Sequence, residues 1–349
     1  MSTLLDFIAF LPRSCRKQPS RKNPSDPRIL VIRRNRMGDM IYTLPLLHAL
    51  RRHYPQAHLT VACDPAGAAI AQACAAVNEV IVLKRSWLPW LALLKNAARL
   101  QDFDWVIAAK GGFDRRLAVL TRLTNAAIRV GFVPRTDRPS DYYTDLVALP
   151  ENPFDEHQIE TLLRLLQPLG VLTVNTYAVN LSLAVPESSR QFAESHLTQF
   201  GFTPIFLINI SSTVKLKFRE EDFVALITQI LASTDFIVGL VAAPADQPRA
   251  VELAAQMASG RVLALATPGP LDLAALLQKA VCLFTPEGGA AHLAAAVGTP
   301  AVVLWSEGPF KKWHSRGTNH VFVHAEEKEK TVPLERVWQA LQPLLPQKK

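Results

Sequence analysis

Three short stretches of this sequence gather the residue types that work on a phosphorylated substrate requires. Arg33-Arg34-Asn35-Arg36-Met37-Gly38-Asp39 sets three guanidiniums, a turn-forming glycine and one carboxylate within seven residues. Asp39 has two readings there: a helix cap, a position that aspartate favours, or a carboxylate facing a cleft, ringed by arginines that keep it ionised. Thr285-Pro286-Glu287-Gly288-Gly289-Ala290-Ala291-His292 puts paired glycines ahead of a helical run. Exposed N–H groups and the helix dipole at such a start suit a diphosphate; an ordinary turn with His292 packed behind it is the alternative. Asn209-Ile210-Ser211-Ser212-Thr213-Val214-Lys215-Leu216-Lys217-Phe218 offers hydroxyls and lysines, donors for phosphate oxygens that are equally common on loop surfaces. The first stretch lacks the G-x-G-x-x-G spacing of a dinucleotide site.

Each stretch directly follows an apolar run. Runs at 28–32, 59–63, 80–83, 105–109 and 128–132 read as strands, with helical stretches at 43–53, 66–75, 88–100 and 115–124 between them. A helix over 157–169 ends at Gly170. A second alternation places strands at 205–210, 236–241, 262–266, 281–285 and 301–305, and helices at 220–232, 247–258, 271–280 and 289–297. A closing helix at 334–345 is expected to pack back across the domains. Near-continuous apolar strands separated by helices predict parallel sheets covered on both faces. The fold class is therefore α/β, with two Rossmann-like, doubly wound domains facing a central cleft. Ligands of such sheets sit at the carboxyl ends of the strands, where the three loops lie.

With 349 residues, two domains are expected. The boundaries are a basic, amphipathic tail at 1–27, an N-terminal domain at 28–170, a linker at 171–190, a second domain at 191–330 and a C-terminal helix at 331–349. A content of 49% hydrophobic and 19% charged residues is that of a folded chain. The four cysteines show no CxxC pair and no disulfide framework, which fits a reducing cytoplasm. A net charge of +8 asks for an anionic partner. No zinc-finger or RRM signature accompanies it, so the reading is no nucleic acid, with a basic nucleic-acid binder kept as the competing class.

Taken together, the loops resemble those of the ADP-heptose heptosyltransferases, glycosyltransferase family nine, of GT-B fold. Residues 29–50 match their opening motif: apolar strand, R-x-x-x-M-G-D, then T-L-P and a helix. Residues 285–305 resemble their closing D-T-G-x-x-H-L-A-A-A run before G-T-P and a strand, and 211–223 loosely match a lysine-and-aromatic motif. The resemblance implies an inverting, metal-independent transfer from ADP-heptose to a lipopolysaccharide inner-core acceptor, with no cofactor. It assigns the general base to Asp39. It assigns the donor to Ser211, Ser212, Lys215 or Lys217, Asp246, Glu287, Gly288, Gly289 and His292. Two departures stand out: Glu287-Gly288 replaces Asp-Thr, and Phe218-Arg219 replaces Trp-Pro. They keep open a different sugar nucleotide or glycan acceptor, or a non-catalytic member that binds without transfer.

Arg36, Lys110, Arg135 and Arg138 are the expected acceptor contacts, since they lie on loops after the strands of the first domain. An amphipathic stretch at 4–11 followed by five basic residues at 13–22 predicts contact with an anionic membrane surface. A second such face at 87–100 carries Trp87, Trp90, Lys95 and Arg99. The expected location is cytoplasmic, peripheral to the inner membrane. Asp102-Phe103-Asp104 has a metal-binding spacing but precedes a strand, at the amino end of the sheet. His157 and Glu160 lack a third ligand and read as a helix face.

Overall fold

Aliphatic and β-branched runs between breakers build twelve parallel strands among the described residues, in two sheets of identical winding. The computed structural model describes residues 26–83, 89–133, 141–171, 179–201, 203–212, 217–326 and 329–345. The tail through residue 25, Trp87, Arg135, Arg138 and Lys215 lie outside them, as do the expectations placed on them.

The first sheet runs β3-β2-β1-β4-β5-β6: β1 Arg28–Arg33, β2 His58–Cys63, β3 Glu79–Val82, β4 Trp105–Ala108, β5 Ile128–Phe132 and β6 Asp145–Val147. Ile29 to Ile32 of β1 are fully buried, since helices cover both faces. Burying each such side chain contributes about 1.5–3 kcal/mol. The second sheet runs β12-β11-β10-β7-β8-β9: β7 Ile205–Asn209, β8 Ile237–Val241, β9 Val262–Leu265, β10 Ala280–Pro286, β11 Ala301–Trp305 and β12 His320–His324. The chain divides into compact units at Leu181/Ser182.

Several elements differ from the pattern reading. The helix expected at 43–53 is Leu44–His53, with Pro45 in its first turn, where the missing N–H costs nothing, and a further short helix, Met37–Ile41, precedes it. Strands β6 and β12 and the helices Glu187–Leu197 and Phe310–Trp313 are additional. Because the Glu187–Leu197 helix begins inside 171–190, the last four residues of that stretch are helical, not linker. The closing helix, Leu334–Leu341, packs on the sheet of its own unit, where Val337 and Leu341 enter the core with Phe223 and Phe284. Phe218, half of the Phe218-Arg219 departure, is in that core too, its ring 5.0 Å from Phe223 and 5.2 Å from Phe284. Arg219 is exposed, and its amide is capped by Asp222.

Both sheets reverse direction of winding between their two central strands. In the first unit this point lies between β1 and β4; in the second it lies between β7 and β10. Outward-turning connections leave a crevice at the carboxyl ends there. The loops after β1 and β4, and those after β7 and β10, are therefore the positions to inspect in each unit.

Candidate active site

In the first unit, the three arginines after β1 take separate tasks. Arg33, only 3% exposed, donates one guanidinium nitrogen to the Asp39 carboxylate, another to the Asp39 carbonyl at 3.1 Å, and a third to the Ala109 carbonyl at 2.6 Å. It thus ties the loop after β1 to the end of β4, across the reversal point. Burial lowers the Arg33 pKa, and the pairing with Asp39 offsets part of that. Arg34 instead faces Asp64, at 3.6 Å. Asp64 also accepts the Asn35 amide at 3.1 Å, and Asn35 holds a left-handed backbone at φ 101°. Arg36 is exposed, and its guanidinium makes no hydrogen bond or ion pair among the described residues.

Asp39 caps a helix and also lies beside an arginine. Its Oδ2 accepts the Arg36 amide at 3.3 Å, capping the Met37–Ile41 helix, while Oδ1 meets Arg33. The side chain keeps 21% of its surface exposed. Tyr42, behind it, is buried, and burial first and the Asp39 charge second push its phenol up, so it stays protonated. The Tyr42 ring lies edge-on to His157, centroids 5.5 Å apart. His157 is a helix cap rather than a helix-face residue: Nδ1 accepts the Ile159 amide at 3.2 Å, and Glu160 returns a bond to the His157 amide at 3.3 Å.

The loop after β4 holds Lys110, whose amine donates to Asp114 at 2.5 Å. Burial raises the Asp114 pKa, but the Lys110 and Leu117 hydrogen bonds outweigh it, and the carboxyl ends below its ordinary range. Beside them, Gln158 is 1% exposed, and neither its amide oxygen nor its amide nitrogen has a hydrogen-bond partner among the described residues. Leaving a buried polar group unpaired costs about 1–3 kcal/mol. Pattern reasoning treated this residue as part of an inert helix. At the opposite end of the sheet, Asp104 accepts the Arg28 amide at 2.8 Å, beside the start of β1, so Asp102-Phe103-Asp104 stands at the amino edge.

In the second unit, the loops after β7 and β10 are knitted by Asn209. Its side-chain nitrogen donates to Thr285 Oγ1 at 3.0 Å and to the Ser211 carbonyl at 3.1 Å. Ser211 Oγ accepts the Ala243 amide at 2.8 Å. Ser212 is partly exposed beside it. Asn209 escaped the pattern reading because an asparagine closing a strand carries no signal of what it bridges. Lys217 donates to the Glu326 carbonyl at 2.7 Å. Asp246 is partly exposed at the start of the Gln247–Gln256 helix, and its carboxylate makes no hydrogen bond among the described residues.

Gly288 precedes the Gly289–Val297 helix with φ 147°, a conformation that favours glycine, and nothing approaches the position a Cβ would take. Gly288 and Gly289 are partly exposed, at a helix start whose first N–H groups have no partner within the helix and suit an anion. Glu287 turns one carboxylate oxygen to the Ser306 and Glu307 amides, at 3.1 and 3.3 Å. Burial raises its pKa, and the two amides pull the other way. The longer carboxylate thus anchors the loop after β11.

His292 lies one turn into the helix. Burial, and then the neighbouring His320 and His314, push it down to about 3; burial likewise brings His320 to about 4. Both rings are neutral at pH 7. The unfolded chain, with an ordinary imidazole pKa near 6.5, binds protons that the folded one refuses. Stability therefore rises with pH in that window and falls as pH drops from about 6.5 toward 4, by at most about 1.4 kcal/mol per pH unit for each ring. Melting temperatures are expected to decline from pH 7 to pH 5, less steeply in His292→Gln; equal slopes in the two proteins would exclude His292 as a source.

Comparison with known proteins follows the same lines. The model of glycosyltransferase family 9 (heptosyltransferase) matches residues 91–338; the Asp39 loop lies ahead of that match. Lipopolysaccharide core heptosyltransferase OpsX of Haemophilus influenzae is 21% identical over 286 residues, which cover 80% of this chain and 78% of that protein. Lipopolysaccharide heptosyltransferase 3 of Escherichia coli is 24% identical, with 82% of each covered. Among solved structures, a glycosyl transferase family 9 protein of Veillonella parvula superposes with a TM-score of 0.80 at 21% identity, covering 93% of this chain and 99% of that one. Escherichia coli heptosyltransferase WaaC with ADP gives 0.75 at 21%, covering 91% and 100%. The α/β architecture is thus GT-B-like.

Proposed function

Because the chain belongs to glycosyltransferase family 9, we propose that it moves a heptose from ADP-heptose to a hydroxyl of the lipopolysaccharide inner core. That membership makes it a glycosyltransferase; the donor and acceptor rest on the names of its relatives and on its own residues. The observation that carries the reading is Asp39, a partly exposed carboxylate fixed at the carboxyl end of β1 by a buried arginine.

In this scheme Asp39 takes the proton of the acceptor hydroxyl as that oxygen attacks the anomeric carbon, and the C–O bond to ADP breaks on the opposite face. The product is inverted at that carbon. Negative charge gathering on the leaving diphosphate falls to the N–H groups at Gly288 and Gly289, with a lysine of the loop after β7, Lys215 or Lys217, as a further donor. Ser211, Ser212, Asp246 and His292 complete the donor side, and Arg36 and Lys110 face the acceptor. Peripheral membrane contact is proposed for residues 1–27 and the Pro89–Arg99 helix; no helix among the described residues is long and apolar enough to cross a membrane.

A different sugar nucleotide is the second reading, favoured by Glu287, whose carboxylate is partly committed to the Ser306 and Glu307 amides. Purified protein offered a panel of sugar nucleotides and truncated lipopolysaccharide acceptors separates the two. ADP-heptose is expected to support transfer, undiminished in EDTA, because the proposed neutralisation uses backbone N–H groups and a lysine. Transfer from another donor alone would replace the first reading with the second. Loss in EDTA with recovery in magnesium would overturn the metal-independent mechanism.

A further inference from the structure

The least explained polar group in the first unit is the Gln158 side chain. At 1% exposure, its amide oxygen and nitrogen are both buried without a partner among the described residues. Most buried polar groups of native proteins find a partner, so this amide calls for an explanation. The surroundings are specific. A Cβ built on Gly111 would fall 2.2 Å from the Gln158 amide nitrogen and 2.3 Å from its oxygen, so the loop after β4 lies directly against the amide and a side chain there would displace it. Gly111 is itself partly exposed, leaving the amide one backbone layer below the surface.

That layer borders the proposed base. Ala109, two residues before Gly111, is held by Arg33, which also holds Asp39. On the other side, His157 precedes Gln158 and packs edge-on against Tyr42. Gln158 therefore closes a continuous circuit running from Asp39 through Arg33, Ala109 and Gly111 to His157 and Tyr42.

We propose that Gln158 is a specificity-determining residue that reads hydroxyl groups of the acceptor sugar once the Gly111 segment shifts aside. The inference rests on the glycosyltransferase reading above. A carboxamide offers a donor and an acceptor side by side, which matches neighbouring hydroxyls; a phosphate oxygen at neutral pH would use only the donor. A site built to hydrogen-bond a hydroxyl rejects analogues lacking it, because its own groups are left unpaired.

Gln158→Met keeps the length of the side chain and removes both polar atoms. The first measurement is the melting temperature, expected to be unchanged or raised, since an unpaired amide is lost. The second is calorimetric binding of delipidated inner-core oligosaccharide, expected to weaken about tenfold or more, with ADP binding unchanged. The third compares acceptors each lacking one hydroxyl. Wild-type protein is expected to discriminate against at least one of them about tenfold, and Gln158→Met to lose that preference. Wild-type binding and discrimination in the variant would overturn the proposal while leaving transfer intact. A lowered melting temperature with unaltered acceptor binding would also overturn it, assigning the amide to folding. Gln158-dependent oligosaccharide binding without any transfer would sustain the proposal and sink the enzymatic reading instead.

Discussion

Asp39→Asn is expected to reduce transfer about 100- to 10,000-fold, the usual cost of losing a positioned general base, while ADP binding is nearly unchanged. The amide keeps the shape of the carboxylate. Its oxygen can still accept either the Arg33 guanidinium or the Arg36 amide, the two donors that now hold Asp39. The fold should therefore persist, with a circular dichroism spectrum close to wild type, while the melting temperature falls because buried Arg33 loses its counter-charge. Turnover within a few-fold of wild type would remove Asp39 from the mechanism. A collapse of ADP binding along with turnover would show that the substitution acts on structure rather than on proton transfer.

Arg33→Leu should be the most damaging single change in the first unit. It removes three bonds at once, to the Asp39 carboxylate, the Asp39 carbonyl and the Ala109 carbonyl. Removing one partner of a buried charged pair leaves the other unpaired, typically at 3–5 kcal/mol when both are buried. Asp39 retains 21% exposure, so a loss of about 2–4 kcal/mol is expected. Transfer should fall as well, because the carboxylate is no longer aimed. Arg33→Lys separates the two effects. It restores a positive charge but not the fork that reaches Asp39 and Ala109 together, so most of the stability and only part of the turnover should return. A melting temperature in Arg33→Leu equal to wild type would contradict the clamp.

Much of the sheet structure was legible because the central strands advertise themselves. Residues 29–32 of β1 and 205–208 of β7 are unbroken aliphatic or aromatic runs, as a strand covered on both faces must be. The edges were not legible. β6 is three residues with a half-exposed pattern, and β12 is an apolar triplet between two histidines, so neither reads as a buried strand. The Glu187–Leu197 helix buries only Ser189 and Ala193 and shows no apolar stripe to find.

At the site, sequence by itself determined which loops matter and which residue types they carry, because glycines, a carboxylate and basic residues directly after strands are local features. Which partner each side chain takes was decided only by the tertiary structure. Three arginines within four residues look equivalent on the page, yet only Arg33 ends β1 facing inward, against a carbonyl 76 positions away. Lys110 pairs with Asp114, and Glu287 reaches the loop after β11 rather than staying local. The buried amide of Gln158 lies directly against Gly111, 47 residues earlier. Hydrogen-bond geometry falls off within fractions of an ångström, and strand order sets those distances. A linear sequence specifies the donors and acceptors; the winding of the sheet decides which of them meet.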